Sequence, residues 1–540
     1  MASPTTMAAA VTTGLAPYTG PWTAAQAAHL LRRTGCGPRR PEIEQVVIAG
    51  LSATLVELFA TQPVPAPPVN HYFESDPLVA IGEPWVDKAL TVVAGLANYR
   101  RQSLSAWVVQ QAENEGISVR EKMTLFWTNH FGITVNNDQR VNYEYNRLLR
   151  EYATGNARQL VKEVTLNVAM LIFLNGNQNS KNSPNENYGR ELMELFTLGK
   201  GPQVGPGDYT NYTEDDVRAA ARVLTGWRTR YINSTNPDND PESYYTANRH
   251  DSEDKQFSER FGNAVISNGG DQEYAQLVDL IFDQPATARY LVTKLYRFFV
   301  YYDITPTVES EVIAPLAQLL IDNDYEIAPV LQALLGSQHF YDIVYAGPMI
   351  RSPWDYTINI LRQFGYDHLE ENLERDTHVR FLTYNAIALM DQEYFKTPSV
   401  AGWKAYYQAP GYYRSWISGP TLQARANMVG DLTRANGLFV KGVRYRFNYV
   451  AWIEQFGSES YDPNTLIQRT TQLLLPQPAL PEQLDSLKEI LLPGLPDFEW
   501  TDEYGLYLTD PTNEMLYAAI DSKLRELFKA IFNMAEFHLS

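Results

Sequence analysis

Between Ser183 and Gly199 the sequence leaves little room for anything but one amphipathic helix. Ser183 is a strong N-cap, Pro184 suits the first helical position, and Glu186 can reach back to close a capping box. Gly199 supplies a left-handed stop. The spacing predicts a helix over 184–198 with two unlike faces. Tyr188, Leu192, Leu195 and Phe196 form an apolar stripe, while Asn187, Arg190, Glu191 and Glu194 share the opposite side. The loop before it, 175–182, is polar throughout. In a chain this long a central helix is covered on both sides, so the loop is expected to supply the amides and carbonyls that satisfy the charged face. A merely solvated face is the plain alternative.

The same start signals recur elsewhere. Thr23 with Gln26, Ser118 with Glu121 and Thr213 with Asp216 each open a helix. Helical patterning also covers 85–111, 141–152, 158–174 and most of the chain beyond 272. The fold class that follows is mainly α: a large multi-helix orthogonal bundle with a small β-hairpin insert around 228–265. Alternation over 443–450 reads as an isolated short strand. The units expected are an N-terminal arm (1–22), a helical unit with the central helix (23–227), the insert (228–265), a middle helical unit (266–420) and a C-terminal one (421–540), packed as one globule.

With 63 acidic against 44 basic residues the net charge is −19, which argues against a phosphate backbone or an anionic membrane as main partner. No apolar stretch is long enough for a membrane span. Residues 1–20 lack the basic and apolar regions of a secretory signal, so a cytoplasmic location is expected. Cys36 is the only cysteine, which excludes an intrachain disulfide and paired-cysteine metal sites. No transition metal and no cofactor is expected, while clustered carboxylates leave a hard cation such as calcium open.

Few residues stand out for chemistry. His130, on the apolar face of Phe126-Trp127-Thr128-Asn129-His130, reads either as a core histidine or as an acid/base facing Glu191 and Glu194. Arg190 would hold an anionic group. His250-Asp251 in the insert is an adjacent pair of the kind metal-dependent phosphohydrolases use, though a turn held by Asp251 explains it as well. No nucleophile elbow, phosphate loop or zinc-protease motif is present.

Phe126 to Phe131, the 184–199 helix, Tyr212 to Trp227, His250-Asp251 with Lys255 and Phe257, Val400 to Trp403 and the ending Ala535 to Leu539 together resemble the bacterial domain-of-unknown-function 1800 family over nearly the whole chain. The resemblance implies a fold and a context but no reaction. It draws Asn129, Asn185, Asn187, His250, Asp251 and Trp403 in as candidate ligand-binding residues, beside Glu191, Glu194, His130 and Arg190 as candidate catalytic ones. It also implies a sulfatase- or alkaline-phosphatase-like protein as partner, and export for many members. Two departures count against a retained site. Thr128 stands where the family shows the first histidine of His-Asn-His, and Ser399 replaces the asparagine of Pro-Asn-Val.

Two functions follow as expectations. One is a structural, assembly or partner-binding protein that forms a homo-oligomer or larger assembly, with neither nucleic acid nor membrane insertion. The other is a hydrolase-like enzyme with Glu191 and Glu194 as base or ligands, His130 as acid/base and Arg190 on the anion.

Overall fold

The computed structural model describes residues 14–134, 136–367 and 369–540. Residues 1–13 of the expected N-terminal arm therefore lie outside the described residues. The fold is mainly α, with four small two-stranded antiparallel sheets among the described residues. In the 228–265 insert, Trp227–Arg230 pairs with Glu242–Tyr245 and Lys255–Gln256 with Val265–Ile266.

Several local expectations shift for physical reasons. The helix read over 85–111 runs from Leu96 to Asn114. Gly95 before it is left-handed, at φ 87°, and the β-branched run Thr91-Val92-Val93 disfavours an earlier start. The helix over Arg120–His130 lacks the expected box between Ser118 and Glu121. Ser118 Oγ still accepts from Arg120 N at 3.1 Å, but the Glu121 carboxylate turns to the buried Arg150 at 2.8 and 2.9 Å. Thr213 and Asp216 do form their box. The strand read over 443–450 is not isolated. Val443–Tyr445 pairs with Leu438–Val440, and Tyr449 already opens a helix.

One apolar cluster reaches from Ala27 and Leu30 near the start of the chain to Phe537 near its end. The Glu514–Asn533 helix drives a full stripe into it: Ile520, Leu524, Leu527, Phe528 and Ile531 are fully buried. Against the same core lie the central helix, the Arg120–His130 helix and the Pro285–Phe299 helix, whose meeting sets up the polar sites below.

Candidate functional site

The central helix begins later than its sequence suggests. Its first residue is Glu186 and its N-cap is Asn185, not Ser183. Asn185 Oδ1 accepts from Tyr188 N at 3.4 Å, its backbone N donates to Asn179 Oδ1 at 2.8 Å, and its Nδ2 donates to Leu174 O at 2.8 Å. Anchored on both sides, Asn185 fixes the start. Ser183 is left in a backbone bridge with Ser180, and the capping box expected of Ser183 and Glu186 does not form.

After Glu191 the helix widens. Leu192–Thr197 is a π-helical turn, and both Leu198 N and Gly199 N reach back to Met193 O. Such turns re-aim the carbonyls at a helix end. Three side chains answer them. Lys294 Nζ and Tyr290 Oη donate to Leu195 O at 3.1 and 3.0 Å, and His130 Nε2 meets Phe196 O at 2.9 Å. The carbonyl requires the ring proton on Nε2, which leaves His130 Nδ1 to accept from Lys294 at 3.3 Å. Burial and the neighbouring lysine hold His130 well below the usual imidazole range. Burial, with Arg297 adding to it, lowers Lys294 to about 7. His130 thus faces one backbone carbonyl and a lysine rather than Glu191 and Glu194. Tyr290 and Lys294 escaped the sequence reading, although their spacing places them on one helix face.

Arg190, Glu191 and Glu194 on the charged face are half-buried, less than a helix covered on both sides would give, and their partners differ from those expected. Arg190 makes two 2.6 Å bonds to Glu214 on the following helix, which raises the guanidinium and lowers the carboxyl. Glu194 accepts from the buried Tyr212 at 2.7 Å and pairs with Lys200 at 3.3 Å. Burial and Glu194 raise the Glu191 carboxyl. The loop before the helix instead holds backbone and insert: Asn179 Nδ2 donates to Ala221 O and Asn177 Nδ2 to Thr229 Oγ1, both at 2.9 Å. Asn187 is exposed.

Asn129 and Trp403 form a clasp. Asn129 Oδ1 accepts from Trp403 N at 2.8 Å with both side chains buried. Gly402 sits at φ 86°, and a Cβ there would lie 2.3 Å from Asn129 O, so only glycine fits. Thr128 returns its hydroxyl to Thr124 O at 2.7 Å.

His250 and Asp251 belong to a second network. The His250 ring nitrogens face Glu273 Oε1 at 2.8 Å and Thr225 O at 2.9 Å. Lys255 Nζ reaches the other Glu273 oxygen at 2.6 Å, and Gly269 N donates to Oε1 at 3.0 Å. Burial alone would raise Glu273, yet these partners hold it low. Asp251 pairs with Arg222 at 2.6 Å and accepts from Glu253 N at 3.0 Å, the turn expected of it. Glu273 was not singled out in the sequence, because it lies 23 residues from His250 in a different element.

Among the described residues no group of three or more His, Cys, Asp or Glu side chains is placed to hold a metal ion, and no helix is long and apolar enough to cross a membrane. The family model described as a protein of unknown function, DUF1800, matches residues 29–538. The chain belongs to the DUF1800 family. No curated protein and no solved structure matches it. In this DUF1800 chain the matched span takes in the central helix, the Asn129–Trp403 clasp and the His250–Glu273–Lys255 network together.

Proposed function

We propose that this DUF1800 protein is a structural, self-associating protein rather than an enzyme. The observation that carries this reading is an apolar groove of about 520 Å³ between the Leu373–Leu389 and Gly419–Leu432 helices. Leu382, Ala386 and Leu389 form a stripe along one wall, with Met428 and Leu432 on the other. Leu389 is 74 % exposed and Leu382 46 %. A contiguous apolar groove is the usual seat of an amphipathic helix, and exposed apolar patches mark contact surfaces. The pairing of Arg190, Glu194, His130, His250 and Asp251 inside the fold adds support, since none of them presents a free nucleophile–base pair. Size-exclusion chromatography with light scattering tests it. The wild type is expected to elute as a dimer or larger species at micromolar concentration, and the double variant Leu382→Asp/Leu389→Asp as a monomer with unchanged circular dichroism. A monomeric wild type would remove the reading.

The hydrolase-like reading keeps one specific observation, the partly buried Lys294 with its lowered pKa beside His130. Activity on phosphate or sulfate esters that vanishes in Lys294→Met, with fold and assembly intact, would favour it. A sulfatase- or alkaline-phosphatase-like partner remains the alternative occupant of the groove, to be separated from a second copy by the same light-scattering measurement on the mixture.

A further inference from the structure

The Ala24–Thr34 helix ends beside the last turn of the Pro463–Leu474 helix. Between these segments lies a cavity of about 840 Å³, a size typical of small-molecule sites. Ala24, Ala28 and Arg32 line it at four-residue intervals, so they share one face of the first helix. Two methyl-sized side chains leave a channel that ends at the third. Across the channel stand Phe456, Leu475 and Pro478. At the rim Arg40 pairs with Glu44 at 2.7 Å and Arg469 with Glu459 at 2.6 Å, so the charges there cancel.

Arg32 is different. It is 8 % exposed, and its Nη2 donates to Leu473 O at 2.8 Å. Among the described residues its guanidinium makes no other hydrogen bond and has no carboxylate within ion-pairing reach, although it carries five N–H donors. Burial, with the like charge of Arg351 adding to it, lowers it to about 9. The carbonyl end of the Pro463–Leu474 helix offsets part of the burial, but a buried charge without a counter-ion is costly.

We infer that this cavity binds a small organic carboxylate with an unbranched apolar tail, the carboxylate on Arg32 and the tail along Ala28 and Ala24 toward the mouth. One uncompensated guanidinium calls for one negative charge, and its planar fork suits a carboxylate. With the rim charges cancelled in pairs, the second charge of a dianion such as a phosphate monoester would find no counter-charge in the cavity.

Isothermal titration of the full chain with octanoate, 1-octanol and octylamine tests this. Octanoate is expected to bind saturably at one site per chain, with 1-octanol weaker and octylamine not binding. Arg32→Gln should weaken octanoate by about tenfold or more, the loss of one charge-assisted contact, and leave 1-octanol unchanged. Arg32→Lys should restore part of it. Ala24 is exposed, so Ala24→Phe blocks the mouth without touching the core and should abolish octanoate binding even if Arg32→Gln fails to fold. Absence of saturable octanoate binding by the wild type, or equal affinity in wild type and Ala24→Phe, overturns the inference.

Discussion

Glu273 shows how a carboxylate survives full burial. It is 0 % exposed, and both oxygens are engaged, one by His250 and Gly269 N, the other by Lys255. Glu273→Ala would leave Lys255, itself 0 % exposed, without its counter-charge. The expected loss is about 3–5 kcal/mol, read from urea unfolding. Glu191→Ala on the half-buried face removes a carboxyl that burial and Glu194 already disfavour, so a change below about 1 kcal/mol is expected. Equal losses in the two variants would contradict this contrast. At the helix start, Asn185→Ala should cost about 1 kcal/mol while Ser183→Ala leaves the melting temperature unchanged. Serine, proline and glutamate at 183, 184 and 186 form a valid local signal. What overrides it is Asn185's attachment to Asn179 and Leu174, a contact made through the preceding loop and invisible in residue spacing.

At the scale of elements, the apolar stripe of the central helix was legible because Tyr188, Leu192 and Phe196 repeat at helical intervals, and all three are buried. The switch from α- to π-helical turn was not, because it depends on what meets the carbonyls of Leu195 and Phe196 from two distant helices. Nor was the close approach at Gly189. A Cβ there would sit 3.0 Å from Ala221 N and from Val217 O, backbone atoms of the Glu214–Val223 helix. This contact brings Arg190 within reach of Glu214. Gly189→Ala gains helix propensity of about 1 kcal/mol but must push the two helices apart, at about 1–3 kcal/mol. Net destabilisation is expected, with a larger loss in Gly189→Val. Arg190→Ala, in a pair whose members are 29 % and 28 % exposed, should cost about 1–2 kcal/mol, between exposed and buried pairs. A thermal melt of Gly189→Ala at or above the wild-type midpoint would mean that the helices do not meet through this glycine.

The whole molecule carries buried imidazoles, and their placement makes acid sensitivity a property of the fold. Burial and Arg33 lower His29 to about 3, burial and Arg380 lower His71 to about 4, and burial with Arg425 and Arg351 lowers His538 to about 4. His130 too is held well below the usual imidazole range, by burial and Lys294. His29 and His538 lie at opposite ends of the family match and His130 within it, so the effect is distributed over the chain. In the unfolded chain each ring titrates near 6.5, in the folded one lower. Between those values the unfolded state binds more protons, so stability rises with pH there. The contribution is fully present above about 6.5 and is lost as pH falls toward 4 and, for His29, toward 3. Each group adds up to about 1.4 kcal/mol per pH unit inside its window. Lys294 acts in a higher window. With its folded value near 7 and its ordinary value at 10.5, it lowers stability below pH 7 and releases that penalty as pH rises toward 10.5. The expected outcome is a melting temperature that climbs steeply from pH 4 to 6.5 and more gently above 7. Lys294→Met should flatten the upper limb and leave the lower one nearly intact, because His29, His71 and His538 do not depend on it. A melting temperature flat from pH 6.5 to 5 would show that these rings are not held neutral.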